Sequence, residues 1–231
     1  MSKKRSLNGP NTDARDQLSP HHHIRLAPHG RSIQKYMAKR GRPSGQTWGA
    51  FLRNHAPHIA AMDLFVVLTI NFVQLYILVI VRLTRRELVW INVTSHPTAE
   101  WIARQITEAF PWNEAPRYLI RDQDAIYGTA VTRRLRAMGI GDKPIAPGSP
   151  WQNGYAERLI GTIRRECLDH LIVLGEGHLR RILGEFVAYY NKSRTHRALS
   201  QDAPIHRAIE RLGAITSRPV LGGLHHQYCR I

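Results

Sequence analysis

Between residues 58 and 94 the apolar residues come in three runs, "HIAAMDLFVVLT", "FVQLYILVIV" and "RELVWINVT", rich in β-branched and aromatic side chains. Runs of that length predict three strands, and the short polar breaks between them suit an antiparallel meander. The stretch from Leu64 to Val81 is about as long as a short membrane span, but Thr69, Asn71 and Gln74 interrupt its middle. A tight turn around Thr69–Phe72 joining two buried strands accounts for that interruption, and a lipid-exposed helix does not.

Past residue 96 the period lengthens. In "HPTAEWIARQITEAF" Ala99, Ile102, Ile106 and Phe110 recur near helical spacing, with Thr98 placed as the N-cap. "RYLIRD" predicts a short buried strand, "GTAVTRRLRAMG" a basic helix closed by Gly139, and "KPIAP" a short final strand. Two helices follow, from about Asn153 to His170 and from about Gly177 to Asn191. Three strands, then alternating helix and strand, then helices, describe an α/β protein with a mixed sheet and helices on its faces. Residues 1–45 combine Pro, Asn, Asp and Ser with the run His21, His22, His23 and lead into "KRGRPSGQ". That composition predicts poor order, with one short helix over "RSIQKYMAKR" and exposed imidazoles rather than a metal site. The chain thus divides into an N-terminal linker (1–45), a folded core (46–210) and a C-terminal tail (211–231).

Charge adds a partner. Among 231 residues, 33 Lys and Arg stand against 17 Asp and Glu, a formal net charge of +16. Such an excess points to a polyanion, nucleic acid before an anionic membrane surface. Cys167 and Cys229 belong to no CxxC or Cys/His ligand pattern, which excludes a disulfide scaffold or structural zinc and fits a reducing cytosol. No apolar run follows the first charged residues, so no secretory signal is read there.

Three acids stand out against this basic background. Asp63 interrupts the first apolar strand, where a charge is costly unless it is paired or bound to metal. Asp122 follows "YLI" at a strand's carboxyl end, the edge at which ligands gather in open α/β sheets. Glu157 lies in the first turn of a helix whose buried face is Ala156, Leu159, Ile160, Ile163 and Cys167. It shares another face with Gly161 and Arg164, and the bare Gly161 leaves room there for a phosphate backbone. Taken singly, each acid has a structural reading, as a turn residue or a complement to the helix dipole.

The sequence around them carries a resemblance. "SPWQNGYAERLIGTIRRE" resembles the last catalytic block of the DDE transposases and retroviral integrases, in which an Asn-Gly pair precedes a metal-binding Glu and a basic helix. "LIRDQDAIYG" is similar to that family's second-aspartate block and "MDLFVVLT" to its first, with 34 residues between Asp122 and Glu157. Downstream, "YYNKSRTHRALSQDAP" is similar to the segment closing the catalytic domain of many insertion-sequence transposases, through Tyr190, Asn191, Arg194, His196, Leu199 and Pro204. The four blocks stand in order across roughly residues 46–210.

The resemblance implies an RNase H-like fold, a five-stranded mixed sheet flanked by helices, whose first and fourth strands are neighbours. It also implies Asp63, Asp122 and Glu157 as catalytic ligands for two Mg²⁺ or Mn²⁺ ions, ~4 Å apart, that serve an in-line displacement at phosphorus. Water attacks when a DNA strand is nicked, and a DNA 3′-hydroxyl attacks when strands are joined. "RDQD" offers Asp124 as an alternative to Asp122, which is preferred because it directly follows the strand. Asn153, Gly154, Arg158, Arg164, Arg165 and Arg194 are the expected DNA contacts, Arg164 first among the arginines because it shares a face with Glu157. Trp151 offers a ring for stacking on a base, but burial beside Pro150 is the expected role, and Glu166 and Asp169 are expected as surface charges. The implied setting is cytoplasmic and nucleoid-associated, with DNA and further copies of the chain, at least a dimer, as partners and no membrane. Such transposases carry an N-terminal helix-turn-helix. Here "RSIQKYMAKRGRP" reads as its last helix and linker, which leaves a truncated, inactive DNA-binding derivative as the alternative.

Overall fold

The computed structural model describes residues 46–111 and 113–231. The histidine run and the helix expected over "RSIQKYMAKR" lie outside the described residues. The meander is present as β1 (Ile59–Leu68), β2 (Gln74–Arg82) and β3 (Leu88–Thr94), each pair antiparallel. The polar interruption of the apolar stretch is the β1–β2 turn. There the Thr69 hydroxyl accepts from the Val73 N–H at 3.0 Å, and the Thr69 N–H donates to the Val73 carbonyl at 3.0 Å. Among the described residues no helix is long and apolar enough to cross a membrane.

A helix the pattern did not show, α1 (Trp48–His55), precedes β1, capped by the Thr47 hydroxyl on the Ala50 N–H. At eight residues it is too short to display a period, and packing stabilises it: the Phe51 ring meets Tyr118 edge-on at 5.2 Å. α2 (Ala99–Ala109) starts at its expected cap, Thr98, which accepts from the Trp101 N–H. β4 (Tyr118–Arg121) and α3 (Gly128–Ala137) follow, and the basic helix closes at Gly139, φ 71°.

The final sheet strand, expected over "KPIAP", lies further upstream: β5 is Gly141–Pro144. Its ladder to β4 runs from Gly141 opposite Tyr118 to Pro144 opposite Arg121. A Cβ on Gly141 would stand 2.7 Å from the Tyr118 ring, so only glycine allows this strand to lie so close. Proline, which donates nothing to a ladder, ends this edge strand. The next helix, α4 (Gly154–Glu166), also stops short of its expected end; Cys167 leaves helical geometry and a 3₁₀ turn spans Leu168–His170. α5 covers Glu176–Lys192. Within residues 211–231, read as a tail, β6 (Ile215–Val220) and β7 (His225–Arg230) pair as a hairpin. The polar strings "ITSRPV" and "HHQYCR" conceal it, and it is pinned where His225 stacks on Tyr189 at 4.3 Å.

The five-stranded sheet has the order β3-β2-β1-β4-β5, with β4 parallel to both β1 and β5. Alternation along β1 divides the core. Ile59, Ala61 and Phe65 pack with Ala156, Leu159 and Ile163 of α4 and with Leu179, Leu183 and Phe186 of α5. Ala60 and Met62 pack with Ile102 and Ile106 of α2 and Val131 and Leu135 of α3. The result is an RNase H-like sandwich, helices on both faces of a mixed sheet.

The last turn of α5 and the segment after it are held by polar contacts to their surroundings. The buried Asn191 side chain behaves as an extra piece of strand, accepting from the Leu88 N–H at 3.0 Å and donating to the Leu88 carbonyl at 2.9 Å. Arg194 grips both oxygens of Glu166 at 2.6 Å, so Glu166, expected as a free surface charge, is half of a partly buried ion pair. Replacing Asn191 by Ala leaves two buried backbone groups at the start of β3 without partners. A loss of roughly 2–4 kcal/mol is expected, read as a lower denaturation midpoint at unchanged slope.

Candidate active site

The parallel pairing of β1 with β4 sets Ala61 opposite Ile120. Carried two residues further, the same register brings Asp63 level with Asp122, just where β4 ends at Arg121. Asp63 falls on the face that carries Ala61 and Phe65, the face covered by α4, and Glu157 lies in the first turn of that helix. The carboxylates meet in one field. Burial chiefly, with repulsion from Asp122, Glu157 and Asp124, pushes the Asp63 carboxyl up to about 7, against the pull of the Leu64 N–H it accepts from at 2.8 Å. Burial and the neighbouring Asp124 also raise Asp122, while the Asp124 N–H and Arg121 draw it down.

None of the ion pairs among the described residues includes Asp63, Asp122, Asp124 or Glu157. Glu100, Asp169, Glu185 and Glu210 are likewise outside these pairs, so what distinguishes the four is that they lie within one another's field. The closest cation shows how Asp122 stays outside them. Arg121 places two nitrogens on the Asp142 carboxylate, at 2.9 and 2.7 Å, and offers Asp122 only a bond to its backbone carbonyl at 3.0 Å. Arg121 therefore braces the strand end and leaves the Asp122 carboxylate open. Asp124 is differently engaged: its side chain caps the 3₁₀ turn Ala125–Tyr127 through the Ile126 N–H at 3.0 Å.

Two buried polar atoms lie beside the acids: Asn153 Oδ1, which has no hydrogen-bond partner, and the Tyr127 hydroxyl, which faces the Asp122 carboxyl and helps draw it down. Tyr127 is 1% exposed, and burial together with Asp122, Asp63 and Asp124 raises its pKa well above the ordinary phenol value. Sequence pattern gave no sign of it, since a tyrosine five residues beyond an aspartate has no periodicity to reveal. Asn153 is buried too, donating from Nδ2 to the carbonyl of Met62, the residue before Asp63. Its expected place on DNA is thus replaced by an anchor tying the start of α4 to β1.

The other expected DNA contacts divide. Gly154, Arg158 and Arg165 line one shallow groove along α4 with Glu157, Gly161 and Trp151. The space left by Gly161 is taken by the Arg165 guanidinium, so a cation lies where an open backbone approach was expected. Arg164 turns to the edge of β1, donating to the Val66 carbonyl at 3.0 Å and lying over the Phe65 ring. Arg194 is engaged by Glu166. Trp151, expected inside, is 68% exposed. The 3₁₀ turn Pro150–Asn153 buries Asn153, and Ala156 follows it into the core, which leaves the indole outside.

The donor set suits a hard divalent cation: carboxylate oxygens only, one of them desolvated and pressed by three like charges. Among the described residues, no group of three or more His, Cys, Asp or Glu side chains is already arranged to hold a metal ion. Asp63 and Asp122 form the closer part of the site, and Glu157 stands exposed at its rim.

Comparison with known proteins follows the same lines. Residues 138–204 match the family described as Integrase core domain. The Insertion element IS407 uncharacterized 31.7 kDa protein of Burkholderia multivorans is 30% identical over 120 residues, 52% of this chain and 43% of that protein. The chain thus spans less than half the length of this curated relative. In fold, it is similar to a chain in the cryo-EM structure of the simian T-cell lymphotropic virus intasome in complex with PP2A regulatory subunit B56 gamma. The TM-score is 0.54 at 14% identity, over 75% of this chain and 66% of that one.

Burial and like charge have a consequence for stability. Folding raises the Asp63 carboxyl from 3.8 to about 7, so the folded state holds this proton more tightly. Its contribution is present in full below pH 3.8 and is lost as pH rises through about 7. In metal-free buffer Asp63→Asn is expected to stabilise the chain at pH 8 by roughly 1–3 kcal/mol and to be near neutral at pH 4. Denaturant unfolding at the two pH values measures this; equal effects at both would contradict it.

Proposed function

We propose that the chain carries an integrase/transposase core that cuts DNA strands and joins them to new partners by phosphoryl transfer, a reading supported by the match of residues 138–204 to the integrase core family and by the insertion-element relative. The observation that carries this reading is the convergence of carboxylates from the middle of β1, the end of β4 and the start of α4, where Asp122 and Glu157 press on the buried Asp63 in a chain of net charge +16. Asp63, Asp122 and Glu157 would hold Mg²⁺ or Mn²⁺. Bound there, two such ions activate the attacking oxygen and stabilise the leaving one.

The chain's own residues supply position and exclusion. Asp63 sits within β1 and Asp122 directly follows the neighbouring strand β4, so their spacing is set largely by backbone register. Asn153 ties the entrance of α4 to the Met62 carbonyl, which holds the first turn of α4, and with it Glu157 at the rim, on the Asp63 side of the sheet. Arg158 and Arg165, in the groove with Glu157, hold the phosphates on either side of the reacting one. Arg121 keeps the Asp122 backbone still while its charge is spent on Asp142. Asp122 is preferred to Asp124 as the ligand because Asp124 is occupied as a turn cap. The partners are DNA and at least one further copy of the chain, and the setting is the cytoplasm, on the nucleoid.

A second reading has one observation in its favour. With no three-acid group arranged for a metal among the described residues, the core is a DNA-binding derivative without catalysis. The two readings separate on a labelled duplex with Mg²⁺ or Mn²⁺. The first expects nicking and joining, reduced by Glu157→Gln at least ~100-fold, the upper end of what losing a residue behind a metal ligand costs. DNA affinity should stay within about twofold, because a carboxylate is not a phosphate contact. Binding without cleavage by the unaltered chain favours the second reading. A further check needs no turnover: at pH 8, Mg²⁺ should raise the melting temperature by a few degrees, and Asp63→Asn should abolish that rise.

A further inference from the structure

Trp151 is the side chain the proposed chemistry leaves unexplained. A tryptophan is normally mostly buried, and this one is 68% exposed. Among the described residues no aromatic ring stacks on it and no guanidinium or ammonium covers it. It lines the same groove as Glu157, Arg158, Gly161 and Arg165.

The loop that carries the indole is held in place. Gln152 turns its side chain back to accept from the Ala146 N–H at 2.8 Å, and the Ser149 N–H donates to the Ala146 carbonyl at 3.1 Å, closing the loop that presents the ring. Asn153 anchors the next position to the Met62 carbonyl, one residue from Asp63. Three consecutive residues therefore have three tasks: Asn153 fixes the platform to β1, Gln152 stiffens its loop, and Trp151 projects from it.

Resting on the reading of this groove as a DNA site, we propose that Trp151 is a stacking platform for an unpaired nucleobase at a DNA strand end beside the acid cluster. The groove has both components that single-stranded nucleic acid requires, cations for the backbone and an open aromatic face for a base. A base inside a duplex already has its faces covered, so the platform selects a frayed or overhanging end. That end also carries the 3′-hydroxyl on which a joining reaction depends. Base and phosphate are held by different residues, so stacking sets which nucleotide stops at the site while Arg158 and Arg165 hold any sequence.

The test uses the full chain and two duplexes, one blunt and one with a two-nucleotide 3′ overhang, each with 2-aminopurine at the terminal position. The unaltered chain is expected to quench the overhang probe. Trp151→Ala should abolish the quenching and weaken overhang binding roughly 5- to 150-fold, the range for losing one base–aromatic stack, with blunt-duplex affinity within about twofold. Trp151→Phe should restore most of both. Since the ring is exposed, all three proteins should melt together. Unchanged quenching and affinity in Trp151→Ala would overturn the proposal, as would a change confined to sedimentation, which would make the ring a contact between copies. If the variant behaves as the unaltered chain while Mg²⁺-dependent nicking persists, only the platform falls. If the unaltered chain binds neither duplex, the DNA reading falls with it.

Discussion

The constraint on which this structure turns is the burial of the Asp63 carboxyl, compounded by like-charge repulsion from the carboxylates that backbone register brings beside it. β1 and β4 cannot pair in parallel with Ala61 opposite Ile120 without carrying Asp63 and Asp122 to the same level. α4 cannot bury Ala156, Leu159 and Ile163 against β1 without bringing Glu157 over that end of the sheet. The hydrophobic core thus drives the assembly of an acidic site that is itself unfavourable, and the Asp63 carboxyl, pushed up to about 7, records the cost.

Relief of that repulsion by protein cations would be simple in so basic a chain, and it is avoided through specific partners. Arg121 is committed to Asp142, Arg194 to Glu166, and Arg164 to the Val66 carbonyl and the Phe65 ring. Arg158 and Arg165 lie along the groove without acid partners among the described ion pairs. One arginine set stabilises the fold and the other faces outward, though both sit in the same stretches of sequence. Glu157, a carboxylate in basic company, is therefore in none of the described ion pairs, although Arg158 and Arg165 share its groove.

Much of this was legible in the residues. The meander, the helix capped at Thr98 and the buried face of α4 follow from period and capping chemistry, and Asp63 announced itself as a charge inside an apolar strand. What escaped depends on contacts distant in sequence. The upstream shift of β5 follows from the fit of Gly141 under the Tyr118 ring, and the β6–β7 hairpin hides in polar strings. The division of the arginines depends on where each partner lies: Arg194 meets an acid 28 residues away, and Arg164 a carbonyl 98 residues away. Trp151 was misjudged because hydrophobicity argues for burial, whereas the 3₁₀ turn at the helix entrance gives the inward position to Asn153.

The proposed chemistry requires Asp63, Asp122 and Glu157 to form one cation site. Crystals of the full chain grown with Mn²⁺ would reveal it through anomalous scattering at the manganese edge. A peak is expected between the Asp63 and Asp122 carboxylates, with Glu157 turned in to bind a second ion beside it. Anomalous density at other carboxylates, with none at these three, would contradict it.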